Sequence, residues 1–193
     1  MSYTTLTTNI ADWMHRADLA PAYSSFVANA EAEFNDKLRV RQMEVAFPET
    51  ALVSGAVALP AGFESWKVLY ETSKNTTLKP KTNEFVRAQE VLASVPVCYA
   101  LEGVNTIFWP SAGSVKGTYY QAIPSLETNT TNWLETARPD VYLYTCLKHA
   151  SIYIKNMQLV EIYGAISTKL INEINMSNRA ESIGGGLLVS QAR

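Results

Sequence analysis

The chain has 193 residues, with 16 Lys and Arg against 18 Asp and Glu and a formal net charge of −2. Hydrophobic residues make up 47% of it and charged residues only 18%, below the usual share of roughly one quarter. This balance excludes an intrinsically disordered chain and argues against a protein that wraps nucleic acid by neutralising phosphates; no apolar run reaches the about 18 residues needed to cross a bilayer.

The opening segment, residues 1–16, has neither the basic nor the apolar stretch of a signal peptide, and two cysteines are too few for a disulfide framework. The expectation is a cytosolic product with reduced thiols. Leu6, Ile10, Trp13 and Met14 recur at helical spacing. A second helix is expected to begin near Pro21, which suits a first turn because its missing N–H is not needed there. Phe26, Val27, Ala30, Phe34 and Leu38 form its apolar stripe, with Glu31, Glu33, Asp36 and Lys37 on the wet face.

After Arg39 the period changes. Val45, Phe47, Leu52, Val53, Val57 and Leu59 lie in short runs cut by Pro48, Gly55, Pro60 and Gly62, which is strand punctuation. Trp66, Val68 and Tyr70 alternate with Lys67, Leu69 and Glu71. Residues 82–93 read as one short helix. Strand patterns return at Cys98–Leu101, Val104–Trp109 and Lys116–Ile123, with Glu102-Gly103 as a hairpin turn.

Helical period resumes after Pro124. A helix runs from Pro139 to about Lys155, with Leu143, Leu147, Ala150 and Ile154 on one stripe and Tyr142, Cys146, His149 and Tyr153 on a second. The polar stripe, Asp140, Tyr144, Lys148, Ser151 and Lys155, is narrow. A helix so apolar around its girth is packed on more than one side. In a short chain the second side points to a neighbouring subunit, so Tyr142, Cys146, His149 and Tyr153 are candidate interface residues. The last helix turns Leu159, Ile162, Ile166, Leu170 and Ile174 inward. Gly164 costs it about 1 kcal/mol of propensity, which close packing would offset.

The expected class is α+β. Residues 1–40 and 124–181 form a helical bundle, residues 41–123 a mainly antiparallel β insertion, and residues 182–193 a flexible arm. Charge is even along the chain, at −3, +1 and 0 over residues 1–60, 61–125 and 126–193.

Chemistry-bearing patterns are sparse. His15 and His149 have no companion at zinc-ligand spacing. Cys146 and His149 share a helix face, but their stripe is otherwise Tyr and apolar, and packing is the better reading. Gly184-Gly185-Gly186 lacks the Lys and Ser/Thr of a phosphate loop. It reads either as part of a disordered terminus or as a hinge, with Ile183 before it, that frees Leu187, Leu188 and Val189 after it to dock on a partner. Lys37, Arg39 and Arg41 are the one basic cluster, flanked by Asp36 and Glu44. No catalytic group, metal or cofactor is expected.

The order of segments resembles the head-to-tail adaptor (connector) proteins of tailed bacteriophages. The matching stretches are Ile10-Ala11-Asp12-Trp13-Met14-His15-Arg16, the helix-to-strand passage AEAEFNDKLRVRQMEV at residues 30–45, and Leu59-Pro60-Ala61-Gly62-Phe63. Further on come Tyr119-Tyr120-Gln121-Ala122-Ile123-Pro124-Ser125-Leu126, Asn132-Trp133-Leu134 and Pro139-Asp140-Val141-Tyr142-Leu143-Tyr144. Residues 72–97 carry no element of that series. The resemblance implies a structural virion protein, made in the host cytoplasm and located in the neck. It implies a homo-oligomeric ring, dodecameric in most members, between the portal protein and tail or nozzle proteins, with packaged DNA passing through without specific binding and no membrane contact. It makes Ile183–Val189 a portal-docking arm. The alternatives are another tail-completion or terminator protein, and a small nucleic-acid-binding module or enzyme.

Overall fold

The computed structural model describes residues 2–90 and 92–182, and divides into a helical unit, up to Gln42 and again from Ile123, and a β unit, Met43–Ala122.

The helical unit is organised around one helix. Helix α1 (Tyr3–Met14) starts at Ser2, whose hydroxyl accepts the Thr5 N–H, and buries Leu6 and Ile10. A 3-10 helix (Ala17–Ala22) holds Pro21, so α2 (Tyr23–Lys37) begins two residues later than the proline suggests. Its stripe of Phe26, Val27, Ala30 and Phe34, with Leu38 after it, is buried as expected. Helix α4 (Trp133–Ala137) has no counterpart in the sequence reading; Asn132 starts it by accepting the Glu135 N–H at 2.8 Å. Helix α5 (Pro139–Tyr153) has proline in its first turn. Helix α6 (Met157–Ser182) follows, with Asn156 accepting the Leu159 N–H.

Helices α1, α2, α4 and α6 all pack on α5. Val141, Tyr142, Cys146, Leu147 and Ala150 are fully buried there, as are Thr145 and Ser151. Ser151 therefore leaves the expected polar stripe: its hydroxyl donates to the Leu147 carbonyl one turn back. Thr145 and Ser167 share a hydrogen bond of 2.7 Å across the α5–α6 contact. The inward face of α6 carries Ser167 and Ile171, while Ile162 turns outward and is 48% exposed. Of the stripe expected to face inward, Ile162 is thus exposed, and Leu159, Ile166, Leu170 and Ile174 are half-buried.

The β unit has two four-stranded sheets. The first runs β1 (Glu44–Ala51), β8 (Ser114–Gln121), β3 (Phe63–Glu71), β4 (Thr76–Thr77) in spatial order. The second runs β2 (Ala56–Ala58), β7 (Asn105–Trp109), β6 (Cys98–Glu102), β5 (Lys79–Pro80). All pairings are antiparallel except β5–β6. Phe47, Val57, Leu69, Leu78, Phe108, Val115 and Tyr119 make a core with contributions from both sheets. Trp66 joins it at the edge and donates its indole N–H to Thr106 Oγ1 at 2.9 Å.

Two details correct the sequence reading. On β3 the register against β8 shifts between Trp66 and Val68, so beyond the shift Leu69 and Glu71 are the buried residues. A simple alternation does not survive such a bulge, because one extra residue reverses the faces. The helix expected over residues 82–93 is only α3 (Asn83–Arg87), with Thr82 accepting the Phe85 N–H. Gly117 is required where it stands: a Cβ there would run into the Val68 carbonyl of β3.

Gly164 is not held by close packing within the chain. Its nearest neighbour for an added Cβ is the Lys148 side chain at 3.7 Å, an ordinary contact. Gly164→Ala should therefore raise stability by about 0.5–1 kcal/mol, the difference in helix propensity. Urea unfolding of the two proteins checks this; a loss of stability would place an unseen constraint on that turn.

Candidate assembly surface

The Cys146–His149 pair is not a nucleophile and base. Cys146 is fully buried and its Sγ lies 3.9 Å from the Phe26 carbonyl. Burial pushes the thiol well above its ordinary range, with the nearby Glu31 charge adding to the effect. His149 instead places Nε2 at 3.3 Å from Glu33 Oε2. Cys98, the other thiol, is buried in β6. Among the described residues no group of three His, Cys, Asp or Glu is placed to hold a metal ion, and no helix is long and apolar enough to cross a membrane.

The two glutamates assigned to the wet face of α2 are both drawn inward, to opposite effect. Glu31 is 7% exposed. Its Oε1 accepts the Leu126 N–H at 2.7 Å and the Tyr142 hydroxyl at 3.4 Å. Asn132 Nδ2 donates to the same hydroxyl at 2.6 Å and to the Pro124 carbonyl at 2.9 Å. This network ties α2, α5 and residues 124–132 together. Burial raises the Glu31 pKa, and the hydrogen bonds oppose that shift. Glu33 instead meets His149, Lys148 and Lys37, with Lys37 Nζ at 2.7 Å. The neighbouring His149 ring, followed by the hydrogen bonds of Lys148 and Lys37, holds its carboxyl far below the usual carboxylate range, against the desolvation that would raise it. Glu33 thus gathers cations from α2 and α5 at one point.

The basic cluster is similarly occupied. Lys37 bonds Glu33, the Arg39 guanidinium donates to the Asn35 and Leu38 carbonyls, and Arg41 lies 3.4 Å from Glu181. The backbone here is held from α6. Asn175 accepts the Arg39 N–H and donates to the Lys37 carbonyl; Asn178 accepts the Arg41 N–H at 2.9 Å and donates to the Arg39 carbonyl. Two asparagines three residues apart share a helix face and satisfy backbone groups of the passage from Lys37 to Arg41. Nothing in their sequence positions singled them out.

The helical unit also leaves large apolar side chains exposed. On α1, Trp13 is 49% exposed and meets Tyr144 of α5 edge-on at 5.7 Å. Tyr144 in turn lies 6.3 Å from Tyr163 of α6. On α6, Met157, Ile162 and Met176 are exposed, and Leu159, Ile166 and Leu170 are half-buried. Of the four candidate interface residues, Tyr142 and Cys146 are wholly inside the chain's own core. His149 is partly covered, and Tyr153 is 62% exposed beside Phe26. The second side of α5 is therefore supplied by this chain itself, and the apolar surplus sits on α1, α6 and the end of α5. The segment Ile183–Val189 lies outside the described residues.

The helical unit is thus closed around α5 with apolar side chains left exposed, and the β unit is inserted between its two halves. The family model described as SU10 adaptor protein matches residues 1–186. The chain belongs to that family, a phage adaptor (head-to-tail, or neck) family, which implies a structural, non-enzymatic role in the virion. No curated protein matches it.

Removing the Glu33 charge leaves Lys148 without its carboxylate, while Lys37 stays open to water. Glu33→Gln should destabilise the chain by about 1–2 kcal/mol at neutral pH. Because the folded-state pKa is lowered, the charge contributes above the unfolded value of about 4.3 and its contribution is lost as pH falls below that value. Glu31→Gln keeps an acceptor and removes a buried charge. The folded-state pKa of Glu31 is raised, so its charge is a cost at neutral pH that disappears on acidification. Urea unfolding of both variants between about pH 2.5 and 8 should give gaps of opposite sign, the Glu31→Gln gain and the Glu33→Gln deficit each shrinking on acidification, the latter only below about pH 4. Native Cys98 and Cys146 should resist a thiol reagent and react once the chain is unfolded.

Proposed function

We propose that this chain is the subunit of a homo-oligomeric ring, dodecameric as in the resemblance drawn from its sequence, that joins the portal to the tail and extends the DNA channel. The observation that carries this reading is the adaptor family match over residues 1–186. The exposed apolar side chains of α1 and α6 indicate where neighbours would meet. A closed ring needs two different patches per subunit, one on each flank, rather than one self-complementary patch. The Trp13 edge of α1 and the Ile162 face of α6 are offered as that pair. Tyr153 extends the surface at the end of α5. Residues Ile183–Val189 are assigned the portal contact, with Gly184-Gly185-Gly186 giving the freedom to reach it. The low charge fraction suits a subunit that packs against two neighbours, a portal and a tail, and a channel that lets DNA slide.

The test uses purified chain added to isolated portal rings and to tailless heads lacking it. Bound chain should appear in a fixed multiple per portal. Ile162→Glu lies at an exposed position and should change stability by no more than about 0.5 kcal/mol while blocking ring closure. Removal of residues 183–193 should abolish portal binding and leave unfolding unchanged. Unimpaired assembly by Ile162→Glu would remove α6 from the interface; no binding of the intact chain to portal or heads would remove the reading altogether.

A further inference from the structure

The β unit carries a second surface, built from the stretch in which the adaptor motif series lapses. Strands β4 and β5 belong to different sheets, and Leu78 between them is 3% exposed. The passage is fixed by backbone bonds from Leu78 to Leu69, from Lys79 to Val97 and from Lys81 to Tyr99, at 2.9, 3.1 and 2.8 Å. Alternation along the strand then sends Lys79 and Lys81 to the side away from Leu78. They rim a cavity of about 300 Å³ lined by Phe85, Val97, Cys98 and Trp109. Phe85 and Val97 are 42% and 49% exposed, and Lys81 Nζ stands 5.2 Å from the Phe85 ring centroid. The ion pairs of this unit, Lys67–Glu44 and Arg87–Glu102, lie elsewhere; among the described residues neither Lys79 nor Lys81 has a carboxylate partner.

We propose that this surface docks an extended segment of a partner protein, in which an apolar side chain fills the cavity while flanking carboxylates meet Lys79 and Lys81. The chemistry follows from the lining. Two unpaired ammonium groups beside an open apolar floor call for an anionic ligand with an apolar body. Nucleic acid fits less well. Residues 43–122 hold one more acidic than basic residue, whereas tight phosphate binding needs several cations together. Pro80 has no N–H to offer at the sheet edge, so recognition there runs through side chains rather than strand addition. The proposal does not depend on the ring: it concerns the β unit alone and holds or falls in the monomer.

The test is an NMR titration of the full-length, isotope-labelled chain with a capped pentapeptide of alternating aspartate and leucine. The controls are its asparagine–leucine counterpart and a short oligothymidine. Saturable shifts should be confined to amides of residues 76–79, Lys81, Thr82, Phe85, Val97, Cys98 and Trp109. Affinity should fall at least about tenfold for Lys79→Glu/Lys81→Glu and for the asparagine peptide, and should weaken with added salt. Phe85→Ala should also reduce it without changing the melting temperature. Lys79→Gln/Lys81→Gln, which keeps side chains of comparable length, should lose affinity by a smaller factor. No saturable shifts, undiminished binding by the charge-reversed variant, or tighter binding of oligothymidine at the same residues would each overturn the proposal.

Discussion

Helix α5 has little side available to water. From Val141 to Ser151 seven of its residues are buried, and they face four other helices. That demand shapes the helical unit. The shell comes partly from the first 37 residues, as α1 and α2, and partly from the last segment, as α4 and α6. Chain ends far apart in sequence must close around one helix, and what lies between them leaves as an insertion with its own sheets and its own core. Polar groups complete the closure. Glu33 collects Lys37, Lys148 and His149, and Glu31 binds the Leu126 amide and the Tyr142 hydroxyl, so two carboxylates two residues apart join α2 to α5 by different means.

Because α5 is covered by its own chain, the remaining apolar side chains are surplus to folding. Trp13, Met157, Ile162 and Met176 do not belong to the core, and each is about half exposed or more. Single exposed apolar residues are common and need no explanation, but a half-open stripe along α6 and the open Trp13 edge of α1 are more than scattered singles. The family is one of phage adaptors, and side-by-side association is the use proposed here for that surface. The low share of charged residues is consistent with it: a subunit covered on several sides has little surface to keep charged.

The α+β class, the helices at both ends and the antiparallel insertion were legible because hydrophobic period and Gly/Pro punctuation are local signals. The α2 stripe was read residue for residue. The failures share a cause. Glu31 and Ser151 looked solvated because their type suggests it, yet each is buried with a hydrogen-bond partner, Glu31 across the fold and Ser151 one turn back along its helix. Ile162 looked inward because α6 carries more apolar residues than its contact with α5 uses, and period alone does not say which face a helix spends on its own core. The β3 bulge reversed an alternation that was otherwise sound. The Asn175–Asn178 clasp, the Glu33 cluster and the Lys79–Lys81 surface are convergences across the fold, and none has a signature in linear spacing.

The most direct measurement is a cryo-microscopy map of the neck of an intact virion that encodes this chain. The account predicts multiple copies in a closed ring against the portal, with α1 of one copy facing α6 of the next and residues 183–189 touching the portal. A neck without the chain, or a ring whose contacts leave both Trp13 and Ile162 exposed to solvent, would contradict it.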